Sequence, residues 1–310
     1  MVRHCNNLSY RINGLVQVEY RASDTISLTA IETTHSNLLY PALHSQTFGK
    51  PLREPLVGVT ALIDLKPVGL ILCELDDSGT ARIFCWNVLP QYRKKGVGHR
   101  LLSRLEQMFL ANGIRMLSLS IRSDLASFQA VKAILIPQGW SCSEILRLYK
   151  VTKSSYRKPL WFDRVPLRNG YSLFPWHELR PTEKAQIVAR QQVDNWFPSE
   201  LNPFQEESTI EWSNSLGLRY QDEVIGWMIT HRVAAGVTQY TVLFVAAEHR
   251  PRATGIALIA ESVRRHLAAG GSRAIFQVRS DNQLFLRFVE RRFNSILSST
   301  AKRMQFNKEL

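Results

Sequence analysis

From Ile83 to Phe109 the chain reads IFCWNVLPQYRKKGVGHRLLSRLEQMF: a β-rich run, a proline-bearing turn, a glycine loop carrying cations, and an amphipathic helix. This stretch limits the fold more than any other. A strand that feeds a helix through a short glycine loop leaves the first helical N–H groups unpaired beside the strand's end. The helix is the clearest element in the chain. Val97, Leu101, Leu102, Leu105, Met108 and Phe109 share one face, Arg100, Arg104 and Gln107 point away, and Asn112-Gly113 supplies a C-cap.

The same order returns in the second half. Thr238–Ala246 is β-rich, Glu248–Thr254 is a loop, Ile256–Leu267 is apolar at helical spacing, and Gly270-Gly271 stops it. Gly69 and Gly226, each inside an apolar strand, lie 157 residues apart; Arg93 and Arg252 lie 159 apart, as do Gly96 and Gly255, and Gly113 and Gly271 lie 158 apart. Four landmarks at nearly one offset predict a duplicated domain, and 310 residues suffice for two domains of about 150 each. The basic, polar stretch Thr152–Gly170 reads as the linker, partly packed down through Leu160, Trp161 and Phe162. The expected domains are 1–155 and 156–310.

In the first half, strands are expected at Val16–Arg21, Leu56–Leu65, Val68–Leu75, Ala81–Leu89, Met116–Ile121 and Ile145–Val151. Lys66-Pro67 and Asp76–Gly79 read as turns, Leu125–Ile136 as a helix stopped by Pro137, and one or two short helices are expected between Ile26 and His44. In the second half, strands are expected at Tyr171–Phe174, Ser215–Tyr220, Val224–His231, Thr238–Ala246 and Ala274–Val278, and helices at Thr182–Asp194, Ile256–Leu267 and Leu284–Arg291. Consecutive strands on short turns form an antiparallel meander. The fold class is α/β of the α+β type: two tandem domains, each a mixed, mostly antiparallel sheet flanked by helices.

The formal charge is +13, from 18 basic against 11 acidic residues in 1–155 and 21 against 15 in the remainder. The basicity is shared by the halves and is not a tail. It favours anionic partners, namely a phosphorylated cofactor, nucleic acid or a membrane surface, without choosing among them. Cys5, Cys73, Cys85 and Cys142 form no CxxC pair, so neither a metal site nor a disulfide framework is expected, and Cys73 and Cys85 read as buried small residues. No apolar run has signal-peptide or membrane-span length, which leaves a cytoplasmic protein as the expectation.

The first loop, Arg93-Lys94-Lys95-Gly96-Val97-Gly98, is R-x-x-G-x-G; the second, Arg252-Ala253-Thr254-Gly255-Ile256-Ala257, is R-x-x-G-x-A. Both suit a pyrophosphate. The helix dipole and unpaired N–H groups favour an anion, small residues let it approach the backbone, and Arg93, Lys94, Lys95 and Arg100 add attraction. No G-x-x-x-x-G-K-[ST] occurs, and the preceding meander does not suit the dinucleotide fingerprint.

At these residues the chain resembles the GNAT superfamily of N-acetyltransferases. The likeness spans both halves and is strongest over Val68–Ile121, where strand, V-x-P, R-x-x-G-x-G, helix, Asn-Gly and strand follow the family's order. The resemblance implies a sheet splayed between its fourth and fifth strands, with acetyl-CoA in the splay and its pyrophosphate on the glycine loop. Asn87, Val88 and Leu89 would then lie nearest the thioester arm, with Phe244, Val245 and Ala246 as their equivalents. Arg93, Lys94, Lys95, Gly96, Val97, Gly98 and His99 would bind the cofactor in the first half, and Arg252, Gly255 and Ala257 in the second. The chain departs from the family at its usual general acid, a tyrosine before a final Gly-Phe. Gly139-Trp140 stands for that pair without a tyrosine upstream, and in the second half the position falls on Phe288. Glu74 is the candidate base, though a strand-end carboxylate in solvent is the plainer reading, and Glu248 and His231 are weaker candidates. The resemblance implies acetyl transfer from acetyl-CoA to a primary amine of a small molecule or protein, with the first half holding the cofactor. The alternative is an inactive GNAT-fold protein whose basic surface binds nucleic acid or an acidic partner.

Overall fold

The computed structural model describes residues 8–12, 16–26, 35–39, 56–76, 79–156, 159, 161–162, 165 and 167–310. Cys5, Leu160 and most of the region expected to carry short helices lie outside them. The chain divides into two compact units, residues 1–144 with 303–310, and residues 145–302.

In the first unit the strands are β1 (Leu8–Ile12), β2 (Val16–Ile26), β3 (Leu56–Ile63), β4 (Lys66–Leu75), β5 (Thr80–Val88) and β6 (Met116–Arg122). Antiparallel pairing runs from β1 to β5 in order, and β6 is parallel to β5. The turn between β3 and β4 sits at Asp64 and Leu65, which have φ of 49° and 63°, and not at Lys66-Pro67. Two consecutive positive φ values match the twist of the flanking strands. Helix α1 (Val97–Ala111) buries the apolar face expected of it, with Leu101, Leu102 and Leu105 fully inaccessible, under one side of the sheet. Helix α2 (Phe128–Leu135) follows β6. On the opposite side Leu38, Leu39, Leu56, Leu70, Leu72 and Cys85 form a smaller cluster, and Cys73 is fully buried within the α1-side core.

Two strands are divided between the units. Strand β7 (Ser141–Thr152) begins in the first unit, and its residues Leu146–Thr152 pair antiparallel with β12 (Arg273–Arg279) of the second. Strand β13 (Ser299–Glu309) begins in the second unit, and its residues Arg303–Glu309 pair antiparallel with β6 of the first. The units are therefore not the contiguous halves 1–155 and 156–310. The first unit takes the end of β13 from the C-terminal part of the chain, and the second unit begins within β7.

The second unit contains β8 (Tyr171–Pro175), α3 (Pro181–Asp194), β9 (Leu216–Tyr220), β10 (Glu223–Ala234), β11 (Val237–Val245), α4 (Thr254–Ala268), β12 and α5 (Gln283–Arg292). Pairing is antiparallel from β8 to β11 and parallel from β11 to β12. Part of the expected linker belongs to this core: Phe162 is buried, and Trp161 packs edge-on to it and to Phe293.

The repeat has one offset, and it is 157. Strands β5 and β6 superpose in number on β11 and β12, α1 on α4, the positive-φ pair Asp64-Leu65 on Gln221-Asp222, and Gly113 on Gly270. The second loop is therefore Arg250-Pro251-Arg252-Ala253-Thr254-Gly255, an R-x-x-A-x-G. Arg250 stands at the place of Arg93, Ala253 at that of Gly96, and Gly255 at that of Gly98. The offset of 159 read from the sequence came from matching Arg252 and Gly255 to the wrong members of the first loop.

Candidate active site

In the first unit, β5 pairs with β6 only from Thr80 to Ile83, opposite Met116 to Leu119. Beyond Ile83 the strands part. The other edge of β5 stays bonded to β4 as far as Val88 opposite Gly69, and the Leu89 N–H donates to the Val68 carbonyl at 2.9 Å. The edge of β5 from Phe84 to Val88 that faces β6 is thus free of strand pairing to it. Unpaired strand groups are a template for an extended partner.

The loop at the end of β5 is held by its own arginine. Arg93 Nε donates to the Val88 carbonyl at 2.7 Å, and Arg93 Nη2 approaches Asn87 Oδ1 at 3.4 Å. The guanidinium is engaged with the strand end, so Arg93 positions the loop. Asn87 is tethered in turn, its Nδ2 donating to the Leu38 carbonyl at 3.0 Å. Lys94 (φ 58°) and Gly96 (φ 80°) take left-handed conformations that turn the chain into α1. A Cβ placed on Gly96 meets nothing within 4 Å, so the space over the loop is open. Lys94 and Lys95 are exposed, and Lys95 lies 5.7 Å from the Tyr92 ring. The Val97 side chain is buried in the core, so only its backbone faces an anion. A Cβ on Gly98 would lie 3.6 Å from Trp86 Nε1 and 3.8 Å from Val88, between the helix and the strand end. Gly96, His99, Arg100, Ser103 and Arg104 border a cavity of about 330 Å³ along the same end of α1. These residues can hold a pyrophosphate: open space over the loop, unpaired first-turn N–H groups and exposed lysines.

Glu74 is not brought to this place. It pairs with Arg82, whose Nε donates to Glu74 Oε1 at 3.0 Å, at the end of β5 that is still bonded to β6. Six residues, about 20 Å of strand, separate Arg82 from Val88. The carboxylate is a cross-strand ion pair at the bonded end of β5.

The second unit repeats the arrangement. Strand β11 pairs with β12 only from Val237 to Tyr240, opposite Arg273 to Phe276, and Thr241–Val245 leave it. The Ala246 N–H donates to the Ile225 carbonyl at 2.9 Å, and Arg250 Nε donates to the Val245 carbonyl at 2.8 Å, as Leu89 and Arg93 do in the first unit. Ala253 takes the left-handed cap position with φ 59°, and the Thr254 hydroxyl donates to the His249 carbonyl at 2.9 Å. Gly255 lies against Val245 as Gly98 lies against Val88. Arg252 ends the short 3-10 turn before the cap, and Ala257 is buried in the first turn of α4. Phe244 replaces Asn87. His231 is buried with both ring nitrogens engaged, by Thr241 Oγ1 at 2.7 Å and the Gln205 carbonyl at 3.2 Å, while Glu248 is exposed and 3.8 Å from Arg190.

A cavity of about 430 Å³ lies in the second unit where β11 and β12 part. Its walls are mainly apolar and include Ile259 and Val263 of α4, Phe285 and Val289 of α5, and Phe276 of β12.

One repeated element escaped the sequence reading. Arg122-Ser123-Asp124 and Arg279-Ser280-Asp281 are identical and 157 residues apart. Each arginine grips its aspartate with two nitrogens, at 3.0 and 2.6 Å in the first unit, and fixes the chain as it leaves the sheet at the open end of the splay. The arginine hydrogen bond holds the Asp124 carboxyl below the usual range. The tripeptide identity at the repeat offset was the signal available. Among the described residues no group of three His, Cys, Asp or Glu side chains is placed to hold a metal, and no helix is long and apolar enough to cross a membrane.

Residues 26–131 match the acetyltransferase (GNAT) family profile. No curated protein matches the sequence. Among solved structures, a tandem GNAT protein from the clavulanic acid biosynthesis pathway is similar over 94% of this chain and 98% of its own, with a TM-score of 0.59 and 15% identity. A GCN5-related N-acetyltransferase from Sphaerobacter thermophilus is similar over 94% and 95%, with a TM-score of 0.60 and 15% identity. A glucosamine N-acetyltransferase region of a fungal multi-domain GH3 beta-N-acetylglucosaminidase is similar over 93% of this chain, with a TM-score of 0.60 and 16% identity. The chain spans only 38% of that fungal protein's length. At these identities the structures show a shared fold, and the profile locates its family signature in the first unit. The sequence signature of the GNAT acetyltransferases thus lies over residues 26–131, and the fold is shared with a tandem GNAT protein over nearly the whole chain.

Proposed function

We propose that the protein transfers an acetyl group from acetyl-CoA to a primary amine of a small molecule or protein, and that the first unit holds the acetyl-CoA. The observation that carries this reading is the junction at the end of β5. That strand leaves β6 after Ile83, and its end runs into a lysine-bearing glycine loop that opens α1. The unpaired N–H groups of the first turn of α1 bind the pyrophosphate, with Lys94 and Lys95 adding charge from the exposed side. The free edge of β5 receives the amide-bearing arm, as a strand edge receives an extended peptide. The coenzyme supplies an activated thioester. The chain's part is to fix its carbonyl in the splay and to admit the amine beside it, and such positioning can account for several kcal/mol of a barrier. The thiolate leaves without a strongly basic centre, so water can return its proton. A cytoplasmic location is part of the same reading.

The test is amine-dependent thiol release from acetyl-CoA over a panel of small amines and N-terminal peptides, for wild type and Gly98→Trp. The reading predicts release with at least one acceptor class and its loss in Gly98→Trp, whose indole fills the space between Trp86 and Val88. Release that is unchanged in Gly98→Trp would contradict it.

A further inference from the structure

The two units part their sheets at equivalent residues, yet they fill the vertex differently. In the first unit Ile83, Leu102, Phe109, Leu117 and Leu119 are all buried in one core. At their counterparts 157 residues on, Tyr240, Ile259, His266, Ala274 and Phe276 line the 430 Å³ cavity. Two exchanges open the space. Leu117 gives way to Ala274, which replaces an isobutyl side chain on the strand by a methyl, and Phe109 gives way to His266, whose ring lies over Gly271, where a Cβ would come within 2.3 Å of it. The hollow starts at Thr241, the first residue of β11 beyond the pairing, and runs along α4 to Leu267. From Ile259 to Leu267 is eight residues, about 12 Å of helix.

We infer that the splay of the second unit binds an acyl thioester whose chain is longer than acetyl, with the chain lying in the hollow between α4, α5 and β12. The inference rests on the reading that the fold holds an acyl-CoA. A volume of about 430 Å³ falls within the usual range of ligand pockets, about 300–1,000 Å³, and far exceeds what the three heavy atoms of an acetyl group fill. The lining from Ile259, Val263, Phe285 and Val289 suits a saturated chain, which takes no hydrogen bonds. The thioester end has its own place in the same unit. The free edge at Thr241–Val245 leads from the hollow to the loop at Arg250–Gly255, which repeats the first unit's anion-binding geometry.

The test uses the full chain carrying Gly98→Trp, which closes the first unit's site. Octanoyl-CoA, acetyl-CoA and octanoate are titrated by calorimetry. A buried methylene gives about fourfold in affinity, so octanoyl-CoA, with six more than acetyl-CoA, is expected to bind at least about 100-fold tighter after the cost of ordering the chain. Octanoate alone is expected to bind at least about tenfold weaker than octanoyl-CoA. Filling the hollow by Ala274→Phe, or separately by Val263→Phe, with folding checked by circular dichroism, is expected to cut the advantage below about fivefold. Octanoyl-CoA binding no tighter than acetyl-CoA, an advantage that survives both fillings, or octanoate binding as tightly as the thioester would each overturn the inference. Failure of the reading it rests on looks different: neither coenzyme thioester would bind wild type.

Discussion

The first and second units hold the same junction with different material behind it. Behind the first, Leu105 is fully buried among leucines at the middle of α1. At the same place in α4 stands Ser262, equally buried, its hydroxyl donating to the Asn214 carbonyl at 2.6 Å. Asn214 Oδ1 accepts from Thr230 Oγ1 at 2.9 Å, and Asn214 Nδ2 donates to the Tyr240 hydroxyl at 3.4 Å. The first unit closes its vertex with hydrocarbon, and the second braces its vertex with hydrogen bonds and leaves room beside them. A duplicated fold can thus keep one loop geometry while its interiors diverge, because the loop is set by backbone bonds and the interior by side-chain volume.

Breaking each interior separates them. Leu105→Ala should cost the most, about 3–4 kcal/mol, because the site is close-packed on all sides. The loss should appear in urea unfolding and in faster amide exchange of α1. A loss below about 1 kcal/mol would show that the first vertex is not close-packed.

Glu183 comes next. Its carboxylate caps the first turn of α3 by accepting from the Arg180 N–H at 2.8 Å, and receives Arg219 at 2.7 and 3.0 Å. Burial pushes this carboxyl up, but the hydrogen bonds from Arg219 and Arg180 outweigh it and bring it down to about 2. A depressed carboxyl stabilises the fold fully above its unfolded value near 4.5, and that contribution of about 3 kcal/mol is lost as pH falls toward 2. Glu183→Gln should lower stability by about 3 kcal/mol at pH 7 and flatten the acid limb between pH 4.5 and 2. An unchanged acid limb would remove Glu183 from this role.

Ser262→Ala should cost less, about 1–2 kcal/mol, by leaving the buried Asn214 carbonyl short of a donor. Its ratio to Leu105→Ala measures how far the second vertex depends on hydrogen bonds. The smallest effect concerns what the units share. Arg93→Ala and Arg250→Ala each remove one bond from a strand-end carbonyl and should cost about 1 kcal/mol each. A difference above about 1 kcal/mol between them in chemical denaturation would break the equivalence of the two loops.

Much of the fold was legible because the meander strands and α1 have clean apolar periods. The apolar faces of α1 and α4 and the cationic loop follow from local pattern, whereas the parting strands were what the family resemblance implied. The division of β7 and β13 between the units was not legible. Strand periodicity says which face is buried and not which neighbour is paired, and β13, STAKRMQFNKE, is too polar to declare itself a strand at all. The repeat register failed for a related reason. Glycine was taken as the marker of the left-handed cap, whereas Ala253 holds that conformation in the second loop with φ 59°. The loop of the first unit was legible as a loop because its backbone turns are written in glycine and charge. The position of Glu74 at the bonded end of β5 was not legible, because a strand's sequence does not reveal which of its ends the partner strand abandons. The cavity was invisible because it arises from residues exchanged on two elements at once, β12 and α4.

The central claim is that the first unit, and not the second, holds acetyl-CoA. Calorimetric titration of acetyl-CoA into wild type, Gly98→Trp and Gly255→Trp tests it directly, because these glycines occupy equivalent places against Val88 and Val245. The account predicts one acetyl-CoA per chain in wild type, a loss of at least about 100-fold in Gly98→Trp, and less than about twofold change in Gly255→Trp. Full binding in Gly98→Trp with loss in Gly255→Trp, or no binding in wild type, would contradict it.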